Sequence, residues 1–280
     1  MARRNLSRAS VIISLILGIQ VLFQVRTRHG GAATSMVPPV PQRVYVQNQG
    51  PSKSLIVDDT FASFWNPDEI ITRCVWDALA VPLLWLPQKR YCSPDCNVLI
   101  LGLGGGSAAR ILREIAPAAS ITGVEFDAEV VACARKHLEL DSLGVEVVID
   151  DALEFVRKDT RYYDMIIEDI AQGSDDGPCK PDWLPYPGHE LAIKRLKPGG
   201  LFICNAINGN EKRRVAKFFR NSFLGVVQIE VEDYLNTIFV GGPGDLNALQ
   251  MRTSVKLSAL HESLDVLSFA TVCSGGYRTK

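Results

Sequence analysis

The stretch that most constrains this chain is Gly102-Leu103-Gly104-Gly105-Gly106-Ser107, which closes the apolar run VLILG (98–102) and runs straight into a helical pattern at 107–116. A strand that ends in glycines and turns at once into a helix is the opening unit of a parallel sheet. The glycines let the backbone turn tightly and approach a ligand closely, beside the positive end of the helix that follows. The rest of the chain repeats the alternation. ITGVEF (121–126), VEVVI (145–149), YDMIIEDI (163–170) and LFICNA (201–206) have the composition of strands. Helical patterns lie between them, near 128–139, 152–158, 187–196 and 210–222. Strands apolar on both faces and alternating with helices predict a sheet covered on each side.

Two final strands break the rule. VVQIEVED (226–233) and LNTIFVGG (235–242) have almost nothing between them, so they can pair only antiparallel. The expected fold is therefore α/β: a doubly wound, mostly parallel seven-stranded sheet ending in an antiparallel C-terminal hairpin. That is the arrangement of class I S-adenosylmethionine-dependent transferases, not of nicotinamide-binding domains. Residues 43–96 supply a small N-terminal hairpin (VYV, 44–46, and SLIV, 54–57) and a helix over 68–86 that Pro82 must kink or end. The transferase-like domain runs over 97–243, and 244–280 reads as a helical tail.

The cofactor loop has its own signature. A dinucleotide fingerprint needs a third glycine at position 107, where Ser107 stands, whereas Gly-x-Gly-x-Gly suits a sulfonium cofactor that brings no pyrophosphate. Gly102, Gly104, Gly105 and Gly106 are the expected contacts. Glu125 closes the second strand, 19 residues beyond Gly106, where a carboxylate can accept bonds from both ribose hydroxyls. Asp151 and Ala152 follow the third strand, where a carboxylate can accept from the adenine amine; Asp150 is equally well spaced for that role. Asp169 ends the fourth strand in the crevice where open α/β sheets bind ligands. Glu168 points to the opposite face and reads as structural. His137 and His189 read as bystanders. Seven cysteines, odd in number and scattered from Cys74 to Cys273, give neither a disulfide framework nor a zinc set, so no metal is expected.

The first 57 residues carry seven basic side chains and no acid, leaving 23 basic against 31 acidic residues from Asp58 onward, a net of −8. An acidic body argues against nucleic-acid binding. Residues 11–25 form an apolar run flanked by arginines, which makes 1–35 a membrane anchor or an organelle-targeting segment. Pro38, Pro39 and Pro41 stiffen a linker over 36–42. The sequence leaves the assembly open between monomer and homodimer.

ILGLGGGSAARILRE, GVEFDAEVVACARKHL, VVIDDALEFV, YDMIIEDI and RLKPGGLFICN together resemble the spermidine synthase-like branch of the class I methyltransferase fold, over residues 43–243. The resemblance implies that Gly104, Glu125 and Asp151 hold S-adenosyl-L-methionine or its decarboxylated form. It also implies that Asp169 deprotonates the attacking amine. Two departures separate the chain from the polyamine-forming members: Ser107 stands where their loop has an aspartate, and Gln172 and Gly173 replace a second aspartate and its neighbour. The GLGGGS form is similar to members that methylate, including those acting on protein amines. The expectation is a methyltransferase for an amine, small-molecule or basic protein acceptor received by the acidic, aromatic loop 173–189 (Asp175, Asp176, Asp182, Trp183, Tyr186). The alternatives are an aminopropyltransferase or a non-catalytic cofactor-binding scaffold.

Overall fold

The computed structural model describes residues 43–173, 178–207 and 209–272. The chain divides at Pro41, and the architecture below is that of the second unit, Gln42–Lys280. The predicted anchor and linker lie outside the described residues. Among the described residues no helix is long and apolar enough to cross a membrane.

The small N-terminal sheet has three antiparallel strands, β1 (Val44–Gln49), β2 (Ser52–Val57) and β3 (Thr60–Trp65), one more than the predicted hairpin. Asp58 and Asp59 make the extra turn, both with positive φ (46° and 59°), the twist that a two-residue hairpin loop requires. Helix α1 (Val75–Ala80) is shorter than predicted, because Pro82 cannot continue it and a 3₁₀ turn takes over at Val81–Trp85. The chain entering α1 is held by one buried carboxylate. Asp77 accepts from the amides of Thr72 and Arg73 (2.9 Å each), the Thr72 hydroxyl (2.7 Å) and the Ser263 hydroxyl (3.3 Å).

The main body alternates β4 (Asn97–Leu101), α2 (Ser107–Ile115), β5 (Ser120–Glu125), α3 (Ala128–His137), β6 (Glu146–Ile149), α4 (Ala152–Lys158), β7 (Tyr163–Glu168), α5 (Gly188–Ile193), β8 (Leu196–Ala206) and α6 (Gly209–Ser222). It ends with β9 (Gly225–Val231), β10 (Thr237–Gly242), α7 (Ala248–Lys256) and β11 (Leu267–Thr271). The sheet order is β11-β9-β10-β8-β7-β4-β5-β6, parallel from β8 to β6 and antiparallel from β11 to β8. The class I methyltransferase fold is present, with an eighth strand: β11 adds to β9 from the tail that reads as helical in the sequence. LSFAT mixes small and polar residues with its two large apolar ones and lacks the aliphatic run that marks the other strands.

Apolar side chains fill both faces. Ile100, Ile167 and Ile203 pack with α1 and α2 on one side, while Leu99, Ile166 and Phe202 pack with Phe218 and Phe219 of α6 on the other. The order of strands reverses at β4, so the chain leaves its two neighbours in opposite directions and opens a crevice at their C-terminal tips. Register then decides what meets there: Leu101 is opposite Glu168, and Glu168 opposite Cys204, which sets Gly102, Asp169 and Asn205 side by side.

Asp77→Ala strands four backbone or hydroxyl donors and is expected to lower unfolding stability by about 3 kcal/mol. Urea denaturation with an unchanged m-value checks this.

Candidate active site

Every amide of the glycine loop is satisfied within the protein. Gly102 and Leu103 donate to the Val124 carbonyl (2.9 and 3.0 Å), Gly104 to Glu125 Oε2 (2.8 Å), Gly105 to Ser63 Oγ (2.6 Å) and Gly106 to the Leu103 carbonyl (3.0 Å). A phosphate-binding loop aims such groups outward at its anion. This loop does not, so it suits a ligand without phosphates. Two of the glycines are steric necessities. A Cβ on Gly102, whose φ is +86°, would lie 2.6 Å from the Asp169 carbonyl oxygen, and one on Gly105 would lie 2.7 Å from Ser63 Cβ. Ser107 is buried, and its hydroxyl donates to the Phe64 carbonyl (2.8 Å) and accepts from the Phe64 amide (2.9 Å). The small N-terminal sheet is thus stitched to the loop through β3.

Glu125 stands at the tip of β5. Burial raises its carboxyl above the usual range, while hydrogen bonds from Gly104 and Phe126 amides pull the other way. Beside it, Phe126 and Ile149 are 76% and 50% exposed, an apolar pair at the ends of two adjacent strands. Such exposure of large apolar groups marks a contact surface. Asp150 and Asp151, which the sequence could not separate, do different work. Asp151 Oδ1 caps α4 by accepting from Leu153 (2.8 Å) and Glu154 (3.0 Å), and Asp150 Oδ1 accepts from the Asp151 amide (2.9 Å). Both carboxylates remain at the mouth of the crevice, and Ala152 is the first residue of the capped helix.

Asp169 is the convergence point. Its amide donates to the Leu101 carbonyl (2.8 Å), and its Oδ1 accepts from Asn205 Nδ2 (2.7 Å), whose own Oδ1 accepts from Asn236 Nδ2 (2.9 Å). Burial pushes its carboxyl up to about 6, against the pull of Asn205, Lys180 and a hydrogen bond from Trp76 and with a further push from Glu168. A carboxyl poised there is mostly ionised at neutral pH yet far more basic than a free aspartate, the range a general base needs. Asn205, Asn236 and Trp76 escape the sequence reading. Asn205 leaves a trace, a polar residue at the tip of the core strand FICNA.

Glu168 does point away from the crevice, into the second core, but His189 is no bystander. It is fully buried, with Nε2 2.8 Å from Glu168 Oε2. His137 lends only its backbone carbonyl, to Lys53 (2.9 Å). In the acceptor-side loop, Asp175 and Asp176 lie outside the described residues, Tyr186 is exposed and edges onto Phe218 (5.5 Å), and Trp183 packs against Gly188. A cavity of about 370 Å³ lies at the opposite end of the strands, near Asn97, Ser120 and Arg161. Its charged groups pair with one another, Arg161 with Glu146 at 2.6 Å, and it is remote from the loop glycines.

A model of the spermine/spermidine synthase domain matches residues 87–240. Polyamine aminopropyltransferase 2 of Hyperthermus butylicus is 30% identical over 79% of this chain and 70% of its own length. The eEF1A lysine and N-terminal methyltransferase homolog of Drosophila melanogaster is 31% identical over 51% of this chain and 22% of its own length. The chain spans less than half the length of the first curated relatives it matches. A crystal structure of a probable spermidine synthase from Corynebacterium glutamicum shares the fold, with a TM-score of 0.63 at 17% identity over 81% of this chain and 87% of that one.

Because the folded carboxyl of Asp169 titrates above its unfolded value of 3.8, its ionised form opposes folding. The cost is absent well below pH 4, grows through pH 4 to 6 and is complete above, at on the order of 3 kcal/mol. Asp169→Asn is therefore expected to raise the melting temperature at pH 8 and leave it unchanged at pH 4, as calorimetric scans would show.

Proposed function

Because the chain belongs to the spermine/spermidine synthase domain family, we propose that it is an S-adenosylmethionine-dependent transferase that passes a methyl group to an amine, on a small molecule or a basic protein, with Asp169 as the base. The observation that carries the methyl assignment is Ser107. At the position where the polyamine-forming branch has a loop aspartate, this chain has a hydroxyl already spent on Phe64. The second expected carboxylate is also missing, since Gln172 faces Cys179 in a two-residue bridge (2.8 and 2.9 Å). Of the three carboxylates that the resemblance places around a cationic diamine, this chain keeps Asp169.

The residues present fit the cofactor. The glycine loop, with no outward amides for phosphate, would carry its methionine part, Glu125 its ribose, and Phe126, Ile149 and the Asp150–Asp151 pair its adenine. When bound, the cofactor supplies a methyl already activated by its sulfonium, so the protein has alignment and proton transfer left to do. Asp169 takes the proton from the acceptor amine. Asn205, held by Asn236, fixes the rotation of that carboxylate, and the partly buried setting keeps its basicity near neutral pH. Asp182, Trp183 and Tyr186 supply the charge and ring faces by which the loop after β7 would attract a cationic acceptor. A second reading, aminopropyl transfer, draws its support from the domain match and the Hyperthermus relative.

Calorimetry separates the two. The full chain is expected to bind S-adenosylmethionine and its demethylated product at least tenfold more tightly than the decarboxylated form. Asp169→Asn should lower labelled-methyl transfer by about 100-fold with cofactor affinity kept within twofold. Preference for the decarboxylated form would replace methyl by aminopropyl transfer.

A further inference from the structure

On the face of β7 opposite Asp169, one buried carboxylate gathers four donors. Glu168 Oε1 accepts from Lys180 Nζ (2.7 Å) and the Ile170 amide (2.8 Å), and Oε2 faces His189 Nε2 (2.8 Å) and Cys204 Sγ (3.1 Å). The Glu168 side chain is 0% exposed and that of Lys180 5%. Burial would push the Glu168 carboxyl up, but the Lys180 charge and the His189 bond override it and hold it at about 2. Burial keeps His189 below its usual value and the Cys204 thiol well above its own, so both are neutral donors. The atoms of Glu168, His189 and Cys204 lie within 4.8 Å of one another, a spacing a metal could use, but the ammonium of Lys180 already occupies the cation's place. The cluster is an ion pair with two neutral donors, not a metal centre.

Each member of the cluster neighbours a part of the candidate active site. Glu168 precedes Asp169, and Cys204, its partner in the β7–β8 register, precedes Asn205. Successive residues of a strand point to opposite faces, so the cluster holds from below what the crevice uses from above. Lys180 lies on the acceptor-side loop, and it also donates to the Ile170 carbonyl (3.1 Å). The peptide groups on both sides of Ile170, directly after Asp169, are thus clamped by this pair. His189 ties in the start of α5.

We propose that the buried Glu168–Lys180 pair is a positioning device that locks the acceptor-side loop to β7 and aims the carboxylate of Asp169. This rests on Asp169 being the base of the transfer proposed above. The pair acts through geometry and through charge: from the opposite face of the strand, Lys180 and Glu168 push the titration of Asp169, which Asn205 and Trp76 contact directly, in opposite directions.

The test uses the full chain without any acceptor. Trp76 fluorescence, bonded to Asp169, reports the titration of that carboxyl, and the transition should vanish in Asp169→Asn. Lys180→Met should move the midpoint up by about one pH unit, and Glu168→Gln, which leaves a buried ammonium beside Asp169, should move it down by about as much. Either single change strands a buried charge, so the neutral double variant Glu168→Gln/Lys180→Met guards against misfolding. In it, hydrogen exchange at residues 170–172 and 179–180 should rise at least tenfold with the rest of the sheet unchanged. Midpoints that stay put or shift the same way, or native exchange in the double variant, would overturn the positioning role. If these readouts move as stated while the native protein transfers no labelled methyl, the positioning stands and the assignment of transfer falls. If the native protein transfers methyl and Lys180→Met keeps its full kcat, the positioning falls instead.

Discussion

The site depends on how closely the ends of β4 and β7 approach. With Leu101 opposite Glu168, the next residues are Gly102 and Asp169, and the position a Cβ of Gly102 would take is 2.6 Å from the Asp169 carbonyl oxygen. Any other residue at 102 would have to push the two strand tips apart, and its φ of +86° would add backbone strain. The same contact sets the crevice. It brings the start of the glycine loop against the backbone of Asp169, the candidate base, so one missing side chain joins the two parts of the candidate site.

The loop is completed by a part of the chain more than forty residues away. Ser63 accepts from the Gly105 amide and Ser107 closes a two-way bond with Phe64, so β3 serves as the outer wall of the turn between β4 and α2. A small sheet that would otherwise look like an appendage is built into the glycine loop. It also explains how the loop tolerates a serine in place of a carboxylate: the hydroxyl gains two partners in a buried position, where an acid would need a cation or would lose its charge.

The residues legible in the sequence are those whose signal is local. A glycine cluster between a strand and a helix, an acid at the tip of the next strand, and an acid ending the fourth all follow from strand and helix periods. What stayed hidden is non-local or lacks an apolar run. Asn205 and Asn236 matter because β8 and β10 pair, Trp76 because α1 packs over the sheet, and Ser107 because β3 reaches it. None of these pairings leaves a pattern in a single stretch. The partner of His189 is hidden for the same reason, since Glu168 is 21 residues upstream. β11 (LSFAT) and the third N-terminal strand (TFASFW) lack the unbroken aliphatic and β-branched runs that make the other short strands legible.

Glu168 and Asp169 are adjacent carboxylates with opposite fates. On one face of β7, an ammonium and three further donors keep Glu168 charged at about 2 despite complete burial; on the other, burial prevails over two amide and indole bonds and lifts Asp169 to about 6. Composition cannot distinguish the two. The alternation of a strand does, because it turns one side chain into the core, where only a paired charge survives, and the other into the crevice, where a partly desolvated one is useful. A permanently ionised neighbour also raises the cost of ionising Asp169, while the cation that stabilises that neighbour lowers it. The basicity of the crevice carboxyl is therefore a balance struck across the thickness of one strand, and a change on the core side is felt as chemistry on the other.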